Sequence, residues 1–413
     1  MIRIKPEIDF QGRCPRCPAA LSPQRILWQG IHVCVVARCA GCGAEITEDL
    51  RVGQAIFTPY QVDLEEGVLT GDPAARRWFG EPLIESLQNP DHEQEVGLAV
   101  EKIRHADEVV ILNCIDHLYG HALLKLLNAE SILRERPDLG LVVIVPRCLR
   151  WMVPDGAAEV WTVDIPLGKA QRYYSRLHDL VEKECGRFGK IWLSPAHSHP
   201  AAFDITRFTG VPRHDFSAES FRITFIWRED RPWLESRAAL RVARRTGLME
   251  GLIFGQNRKV QRLFDALRHR FPRARFTVAG MGTRTRFPDW IEDHRVDRFD
   301  DETERRLCRL YAESRLVIGV HGSNMLLPSA HGGMTIDLMP SDRWPNVAQD
   351  ILYQEADSRM ASYRYRYLPL GTPVAELARI AGDQIAWHEA FRVQMISGAA
   401  GADCLCRGGE GTT

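Results

Sequence analysis

The feature that most constrains this chain is a regular alternation of apolar, strand-like runs with amphipathic stretches, which begins near residue 57. Eight apolar runs fall into two sets: 109–114, 139–146, 159–166 and 190–196, then 222–228, 275–280, 316–320 and 335–340. Segments such as 259–271 and 301–314 carry apolar residues at helical spacing between them. The pattern is typical of an α/β fold with a largely parallel sheet flanked by helices.

The length of 413 residues predicts about two to three domains. The polar, proline-containing stretch 203–221 separates the two sets of runs, and it predicts a linker between two Rossmann-like halves. We therefore expect four segments: a small cysteine-containing domain at 1–56, an N-terminal half at 57–215, a C-terminal half at 216–396 and a flexible, glycine-rich tail at 397–413. Ligands in such sheets bind beyond the carboxyl ends of the strands.

Four of the eleven cysteines form two Cys-x-x-Cys pairs, Cys14 with Cys17 and Cys39 with Cys42. This spacing is typical of a zinc ribbon, because each pair presents two thiolates to one side of a tetrahedral ion. The residues between the pairs predict a short hairpin that turns at Gln29-Gly30. We expect a structural Zn²⁺ site, since protein sulfurs fill all four coordination positions; unmetallated thiols or a redox dithiol are the alternatives.

Composition excludes several classes of protein. With 45% hydrophobic and 26% charged residues the chain is globular, and its net charge of −1 lacks the basic surplus that favours nucleic acid. The first ten residues lack the apolar region of a secretory signal, and the longest apolar runs are far shorter than the roughly 20 residues that span a membrane. An odd number of cysteines disfavours a disulfide framework. We expect a cytoplasmic protein without a membrane span.

The segment 316–340 carries the strongest local pattern. Its apolar run is followed by four residues that suit a phosphate-binding turn: His321, Gly322, Ser323 and Asn324. A strand-to-helix turn presents backbone amides and the positive end of a helix dipole, so we expect it to bind a diphosphate. The next strand carries Asp337, which is predicted to accept hydrogen bonds from ribose hydroxyls. A plain capped turn is the alternative interpretation.

Two further groups of charged residues follow apolar runs. Arg228 ends the run 222–228, where it is predicted to bind diphosphate, and Asn257 and Arg258 are expected to reach the same phosphates. Ordinary surface charge is the alternative for Arg228. Asp116 and His121, with His117 between them, follow the run 109–114, and either Asp116 or His121 is a candidate general base. A lone histidine is usually structural, but three ionisable residues within six positions favour chemistry.

Three of these segments resemble elements of glycosyltransferase family 61, the inverting enzymes of the GT-B type. Residues 321–330 with 335–338 resemble its His-Gly-Ala-Gly element, residues 119–124 resemble its Tyr-x-His-Trp element, and residues 225–228 with Asn257-Arg258 resemble its arginine- and asparagine-containing stretch. They occur in the expected order over roughly residues 105–340. The sequence departs from that pattern in having Ala122 for tryptophan, Ser323-Asn324 for Ala-Gly and Asp337 for glutamate.

The resemblance implies a nucleotide-sugar donor bound by the C-terminal half and an acceptor bound by the N-terminal half. The acceptor would be a glycan, a lipid-linked sugar or a protein. We expect no catalytic metal, because the segments near the expected cleft show no pair of carboxylates of the kind that binds one. Two alternatives stay open: a sugar-nucleotide epimerase or other GT-B-shaped enzyme, and a nucleic-acid- or protein-binding module in which the zinc ribbon is the working part. Arg25 and Arg38 give that ribbon only a thin basic patch.

Overall fold

The computed structural model describes residues 1–200, 202–349, 351–352, 355 and 357–406. The chain divides into two compact units, Met1–Phe208 and Thr209–Thr413. Each unit contains a six-stranded sheet with parallel strands at its centre, and the first unit carries a further six-stranded antiparallel sheet. The predicted α/β fold with two Rossmann-like halves and an N-terminal four-cysteine module is confirmed.

The first unit is built from the following elements. Its strands are β1 (Ile2–Lys5), β2 (Gly12–Arg13), β3 (Ala20–Trp28), β4 (Val33–Cys39), β5 (Glu45–Asp49), β6 (Gln61–Asp63), β7 (Val68–Thr70), β8 (Leu98–Lys102), β9 (Glu108–Asn113), β10 (Gly140–Pro146), β11 (Glu159–Val163) and β12 (Lys190–Leu193). Its helices are α1 (Glu81–Gln88), α2 (Tyr119–Leu126), α3 (Ala129–Glu135), α4 (Ser175–Cys185) and α5 (Ile205–Thr209), with helical turns at Gly53–Ile56, Arg76–Gly80, Arg147–Met152 and Leu167–Lys169.

Strands β2 to β7 form the antiparallel sheet in chain order. The predicted hairpin between β3 and β4 is confirmed, and its turn contains Gly30 at φ +132°, a conformation that favours glycine. Strand β1 instead pairs with β12 at the edge of the other sheet. Side chains of both sheets, such as Val33 and Val35 with Val109 and Ile111, meet in one buried core. The segment 1–56 is thus contained in a larger sheet that ends at Thr70 and packs on the parallel sheet.

The parallel sheet of the first unit has the order β1-β12-β9-β10-β11-β8. Strands β12, β9, β10 and β11 are parallel, and the antiparallel strands β1 and β8 close the two edges. The chain leaves β9, goes outward through β10 and β11, and returns to the other side of β9 as β12. The strand order therefore reverses between β9 and β12, and the residues after β9 lie at the point where such sheets bind ligands.

The second unit has strands β13 (Arg222–Arg228), β14 (Arg275–Met281), β15 (Ile291–Val296), β16 (Ser314–Val320), β17 (Thr335–Met339) and β18 (Tyr365–Pro369). Its helices are α6 (Arg237–Thr246), α7 (Met249–Arg270), α8 (Asp301–Ala312), α9 (Leu326–His331), α10 (Ser358–Arg364) and α11 (Val374–Cys406), with turns at Ser323–Met325 and Trp344–Asn346. The strands are all parallel, in the order β15-β14-β13-β16-β17-β18. This is the Rossmann order, and it reverses between β13 and β16.

Some boundaries differ from the expected ones. Helix α7 begins at Met249, ten residues before the predicted start at 259, because the apolar spacing continues backwards through Ile253. The predicted linker 203–221 contains α5 and the boundary between the two units. The tail predicted to be flexible, 397–413, begins inside α11, and residues 407–413 lie outside the described residues. No helix in the described part of the chain is long and apolar enough to span a bilayer.

Candidate functional site

The four predicted metal ligands come together at one end of the antiparallel sheet. The Sγ atoms of Cys14, Cys17, Cys39 and Cys42 all lie within 4.8 Å of one another, with Cys14 3.7 Å from Cys42 and Cys17 3.4 Å from Cys39. Tetrahedral Zn–S bonds of about 2.3 Å place sulfur atoms about 3.8 Å apart, so the cluster fits such an ion. The predicted juxtaposition of these cysteines is confirmed.

The backbone around the cysteines is shaped for anionic sulfur. The amides of Gly41 and Cys42 each donate to Sγ of Cys39 at 3.4 Å, and the amide of Arg16 donates to Sγ of Cys14 at 3.4 Å. The two amide hydrogen bonds to Cys39, led by the one from Cys42, lower the pKa of the Cys39 thiol to about 6. A Cβ at Gly41 would lie 2.9 Å from Cβ of Ala19, so only glycine fits this turn.

In the second unit, the predicted phosphate-binding residues lie at the carboxyl ends of neighbouring strands. Arg228 is the last residue of β13, and His321 directly follows β16, which pairs with β13. The strand order reverses between these two strands, which is where Rossmann sheets bind nucleotides. The topology therefore brings together Arg228 and the turn after β16, although 93 positions separate Arg228 from His321 along the chain (321 − 228 = 93).

Two guanidinium groups converge on the backbone of Gly322. A Cβ built on Gly322 would lie 2.9 Å from Nη1 of Arg228 and 3.1 Å from Nη1 of Arg231. Arg228 donates to Oδ1 of Asn324 at 2.7 Å, and Arg231 donates to the carbonyl of His321 at 3.2 Å. Gly322 has φ +147°, which favours glycine, and the missing side chain leaves room beside both cations.

The positive charge at this turn is only partly balanced. Asp230 accepts two hydrogen bonds from Arg228, at 2.9 and 2.5 Å. The pKa of Arg231 is lowered by burial and by the neighbouring charges of Arg228 and Arg343. An anion placed between the arginines would relieve that repulsion, and planar guanidinium groups bind phosphate in a bidentate manner.

The ring of His321 contacts the buried carboxylate of Asp337. Its Nδ1 lies 3.0 Å from Oδ2 of Asp337, and the hydroxyl of Tyr365 donates to the same oxygen at 3.2 Å. Asp337 is fully buried, so its side chain faces the protein interior and not a solvent-exposed ribose. A carboxylate on Nδ1 fixes the orientation of the ring, and Asp337 therefore positions His321.

Asn257 and Arg258 lie elsewhere than expected. Both are inside helix α7 and not at its N-terminus. The buried Asn257 amide donates to Oγ1 of Thr285 at 3.0 Å and to the carbonyl of Arg286 at 3.2 Å, so it anchors that loop. The exposed Arg258 stacks on Phe254, with 4.7 Å between its guanidinium carbon and the ring centre. Helix α7 instead reaches the end of β13 through Gln256, whose amide donates to the carbonyl of Arg228 at 3.1 Å.

In the first unit, Asp116 forms the centre of a polar cluster after β9. The side chain is buried, its Oδ2 lies 2.9 Å from Nζ of the buried Lys125, and its Oδ1 lies 3.2 Å from Nδ1 of His117 and 3.5 Å from Nδ1 of His121. Burial alone would raise the pKa of Asp116, but Lys125 and the two histidines hold that pKa well below its usual range. A carboxylate with so low a pKa is a weak base, and it is suited to orienting the histidines.

The antiparallel sheet contributes to this cluster. Nε2 of Gln54, from the turn after β5, lies 3.0 Å from Nδ1 of His121. Gly53, at φ +56°, comes close to the Lys125 side chain, because a Cβ there would lie 3.4 Å from Cε. His32 of the hairpin turn also lines a small cavity together with His117 and Trp78. The four-cysteine module and the histidine pair thus belong to one continuous structure.

Sequence reasoning missed four residues of these sites: Gln54, Lys125, Arg231 and Tyr365. Lys125 had a visible signal, since a single charge inside the apolar run 123–127 must be paired when the helix is buried. Arg231 follows Arg228 by three positions in the same charged segment. Gln54 and Tyr365 had no local signal, because each reaches its partner from a distant part of the chain.

Comparison with known proteins found likenesses only among solved structures. No family model matches the sequence, and no curated protein sequence matches it. Escherichia coli ADP-heptose lps heptosyltransferase II is similar with a TM-score of 0.39 and 11% identity over 68% of this chain and 99% of that chain. The glycosyltransferase SnogD from Streptomyces nogalater has a TM-score of 0.26 and 13% identity over 67% of this chain and 73% of its own. The GtfA/B complex has a TM-score of 0.22 and 13% identity over 91% of this chain and 75% of its own. Two of these names are those of sugar-transferring enzymes.

Proposed function

We propose that this protein is an inverting glycosyltransferase that moves a sugar from a nucleotide-sugar donor to an acceptor hydroxyl. The observation that carries the proposal is the convergence of Arg228 and Arg231 on Gly322 at the switch point of a Rossmann-ordered sheet. A nucleoside diphosphate matches this site in charge and in position. The resemblance of the same segments to glycosyltransferase family 61 supports a sugar as the transferred group and inversion as the outcome.

The second unit is proposed to bind the donor. As the bond between the anomeric carbon and the diphosphate oxygen breaks, negative charge grows on the leaving diphosphate. Arg228 and Arg231 stabilise that charge, and the turn formed by Gly322, Ser323 and Asn324 lets the phosphates approach the backbone. Asp337 acts on the donor only through His321, whose ring it orients.

The first unit is proposed to supply the general base. His121 takes the proton of the acceptor hydroxyl while the hydroxyl oxygen forms its bond to the anomeric carbon. Asp116 orients the ring and stabilises the imidazolium that results, and it does not itself act as the base. For His121 to accept a proton at Nε2, its Nδ1 must carry a hydrogen that Asp116 accepts, and the Gln54 amide must then present Oε1 to that ring nitrogen.

We further propose that the four-cysteine cluster holds a structural Zn²⁺. Four sulfur ligands leave no open coordination position, so the ion would stabilise the end of the antiparallel sheet and take no part in sugar transfer. The acceptor is proposed to be a glycan, a lipid-linked sugar or a protein hydroxyl.

The first test is a thermal-shift panel of UDP, GDP, CDP, dTDP and ADP with the matching monophosphates. A ligand that binds only the folded state raises its melting temperature by mass action. We expect one diphosphate to raise the melting temperature selectively, which would also identify the base of the donor. If no nucleotide in the panel changes the melting temperature, the proposed donor site is wrong.

Replacing Arg228 by alanine should weaken binding of that diphosphate. Hydrogen bonds to charged groups contribute about 1.5–3 kcal/mol each, so we expect roughly ten- to 150-fold weaker binding by isothermal titration calorimetry. Arg298→Ala removes an exposed arginine from the same unit and should bind like the wild type. Equal affinity of the Arg228→Ala and Arg298→Ala variants would exclude Arg228 from the donor site.

Replacing Gln54 by glutamate should shift the pH profile of kcat/KM. A carboxylate near Nδ1 stabilises the imidazolium form, and a base works only when it is unprotonated. The acidic limb of the pH profile of kcat/KM should therefore move to higher pH. Gln88→Glu places the same charge at an exposed position and is the control. An acidic limb at the same pH as in the wild type would contradict the contact between Gln54 and His121.

A further inference from the structure

Residues 237–259 of the second unit form a surface that we call the basic corner. It comprises helix α6, the turn at Gly247 and the first half of helix α7. The segment contains six arginines and lysines and a single acidic residue, Glu250, and the exposed cations are Arg241, Arg244, Arg245 and Arg258. The whole chain has a net charge of −1, so this positive charge is a local concentration.

The basic corner also exposes large apolar side chains. Val242, Leu248 and Phe254 are 56%, 65% and 51% exposed. A soluble surface exposes scattered apolar residues singly, but here three of them lie within thirteen positions of one short helical corner (254 − 242 + 1 = 13). A function that uses apolar contact together with positive charge accounts for both properties.

Helix α6 divides these properties between two faces. Ala243 is buried and Leu240 is half-buried, and these two residues face the body of the unit. Arg241, Val242 and Arg245 are exposed on the opposite side. In helix α7, Phe254 is exposed beside Arg258, which stacks on its ring. The exposed surface is thus amphipathic, with apolar side chains next to long cationic ones that can extend around them.

We propose that the basic corner docks on the surface of an anionic lipid bilayer. Arginines bind the negative surface, and short apolar side chains beside them enter the boundary between headgroups and acyl chains. Nucleic acid would match the charge, but it would leave the exposed Leu248 and Phe254 without apolar contact. Docking of this kind is peripheral, since neither α6 nor α7 is apolar enough to span the membrane.

The basic corner is attached directly to the charged turn at the end of β13. Arg244 of helix α6 donates to the backbone carbonyl of Asp230 at 2.6 Å, and Asp230 is the residue that pairs with Arg228. Membrane docking would therefore place the Arg228 turn close to the bilayer. The inference stands on surface charge and exposure, and it does not depend on glycosyl transfer.

The test is co-sedimentation of the full chain with vesicles. We expect binding to vesicles of phosphatidylglycerol and phosphatidylcholine in equal parts, loss of binding at high salt and no binding to pure phosphatidylcholine. Each basic side chain near an anionic surface contributes about fivefold, so the charge reversal R241E/R245E should lower the partition coefficient at least about 30-fold. L248S/F254S should weaken binding without changing its dependence on salt, because it leaves every charge in place.

The double variant R176E/R298E makes the same change in net charge at exposed positions outside the basic corner, and it should bind like the wild type. All variants are compared after circular dichroism has shown the melting temperature of the wild type. Absence of wild-type binding to the anionic vesicles would overturn the proposal, and so would equal losses in R241E/R245E and R176E/R298E. Salt-dependent binding to polyuridylic acid with no binding to vesicles would overturn it in favour of nucleic acid.

Discussion

Removing the proposed Zn²⁺ from the four-cysteine cluster should lower the melting temperature of the first unit by about 10–20 °C. Structural zinc sites in small peptides have apparent binding free energies of about 10–16 kcal/mol, and about 1 kcal/mol shifts the melting temperature of a unit this size by about 2–4 °C. We expect only about 5 kcal/mol of that binding free energy to add to the free energy of unfolding of the first unit. Scanning calorimetry of the chelated protein and of Cys39→Ser, beside measurement of bound metal, checks this.

The coupling is partial because the two ends of the strands differ in packing. Near the cysteines the hydrophobic core is a small cluster of buried residues, which includes Leu21, Ala37 and Ile46. At the other end of the same strands, Val33 and Val35 lie in the large core of the unit. Hydrogen exchange should therefore show lost protection at residues 12–22 and 37–46 and retained protection at Val33 and Val35.

Cys148→Ser is the matched control, since Cys148 is a half-exposed cysteine outside the cluster. It should leave both the metal content and the melting temperature unchanged. Protein that is purified without metal and has the same melting temperature before and after chelation would contradict a structural ion at this cluster. Readdition of Zn²⁺ to the chelated protein should restore the melting temperature.

The parallel strands were predictable from sequence because they are buried on both faces. Each of the eight apolar runs corresponds to one strand: β9 to β14, β16 and β17. Strand β15 is the parallel strand between them that no apolar run predicted. Strand β15 was missed because its central residues are Glu292, Asp293, His294 and Arg295, and an edge strand tolerates such charge. Strand β1 was missed because its partner β12 lies about 190 positions away. Local patterns report burial well and report non-local pairing poorly.

The positions of the candidate site residues follow the same division. Arg228 and the turn after β16 were predictable, because polar residues directly after a buried strand mark the ligand-binding edge of the sheet. The buried position of Asp337 was not, because a strand buried on both faces gives no sign of which polar side chain has an internal partner. That partner, Tyr365, comes from a strand 28 positions later that carries no strong pattern (365 − 337 = 28). The contacts of Asp337 with His321 and Tyr365 therefore became visible only in the fold, and the residue type alone did not predict them.

Replacing His121 by alanine should lower kcat by about 10²- to 10⁴-fold, which is the usual contribution of a general base. The affinity for the diphosphate should not change, because the proposed donor contacts lie in the second unit. Asp116→Asn should lower kcat less, since the base remains, but it should destabilise the fold by leaving the buried Lys125 without its counter-ion. Activity is measured as acceptor-dependent release of nucleoside diphosphate from sugar donors that carry the base identified by the thermal-shift panel.

Two histidine variants make the assignment specific. His92→Ala removes an exposed histidine of the same unit, whose ring forms a hydrogen bond with Ser175. This variant should keep full activity. His117→Ala removes the ring that lies 3.2 Å from the same Asp116 oxygen, and it should cost less activity than His121→Ala. The opposite order would move the base to His117, because Asp116 would then orient that ring during proton transfer. Donor consumed at equal rates with and without acceptor would instead indicate an epimerase, for which neither order of histidine effects is expected.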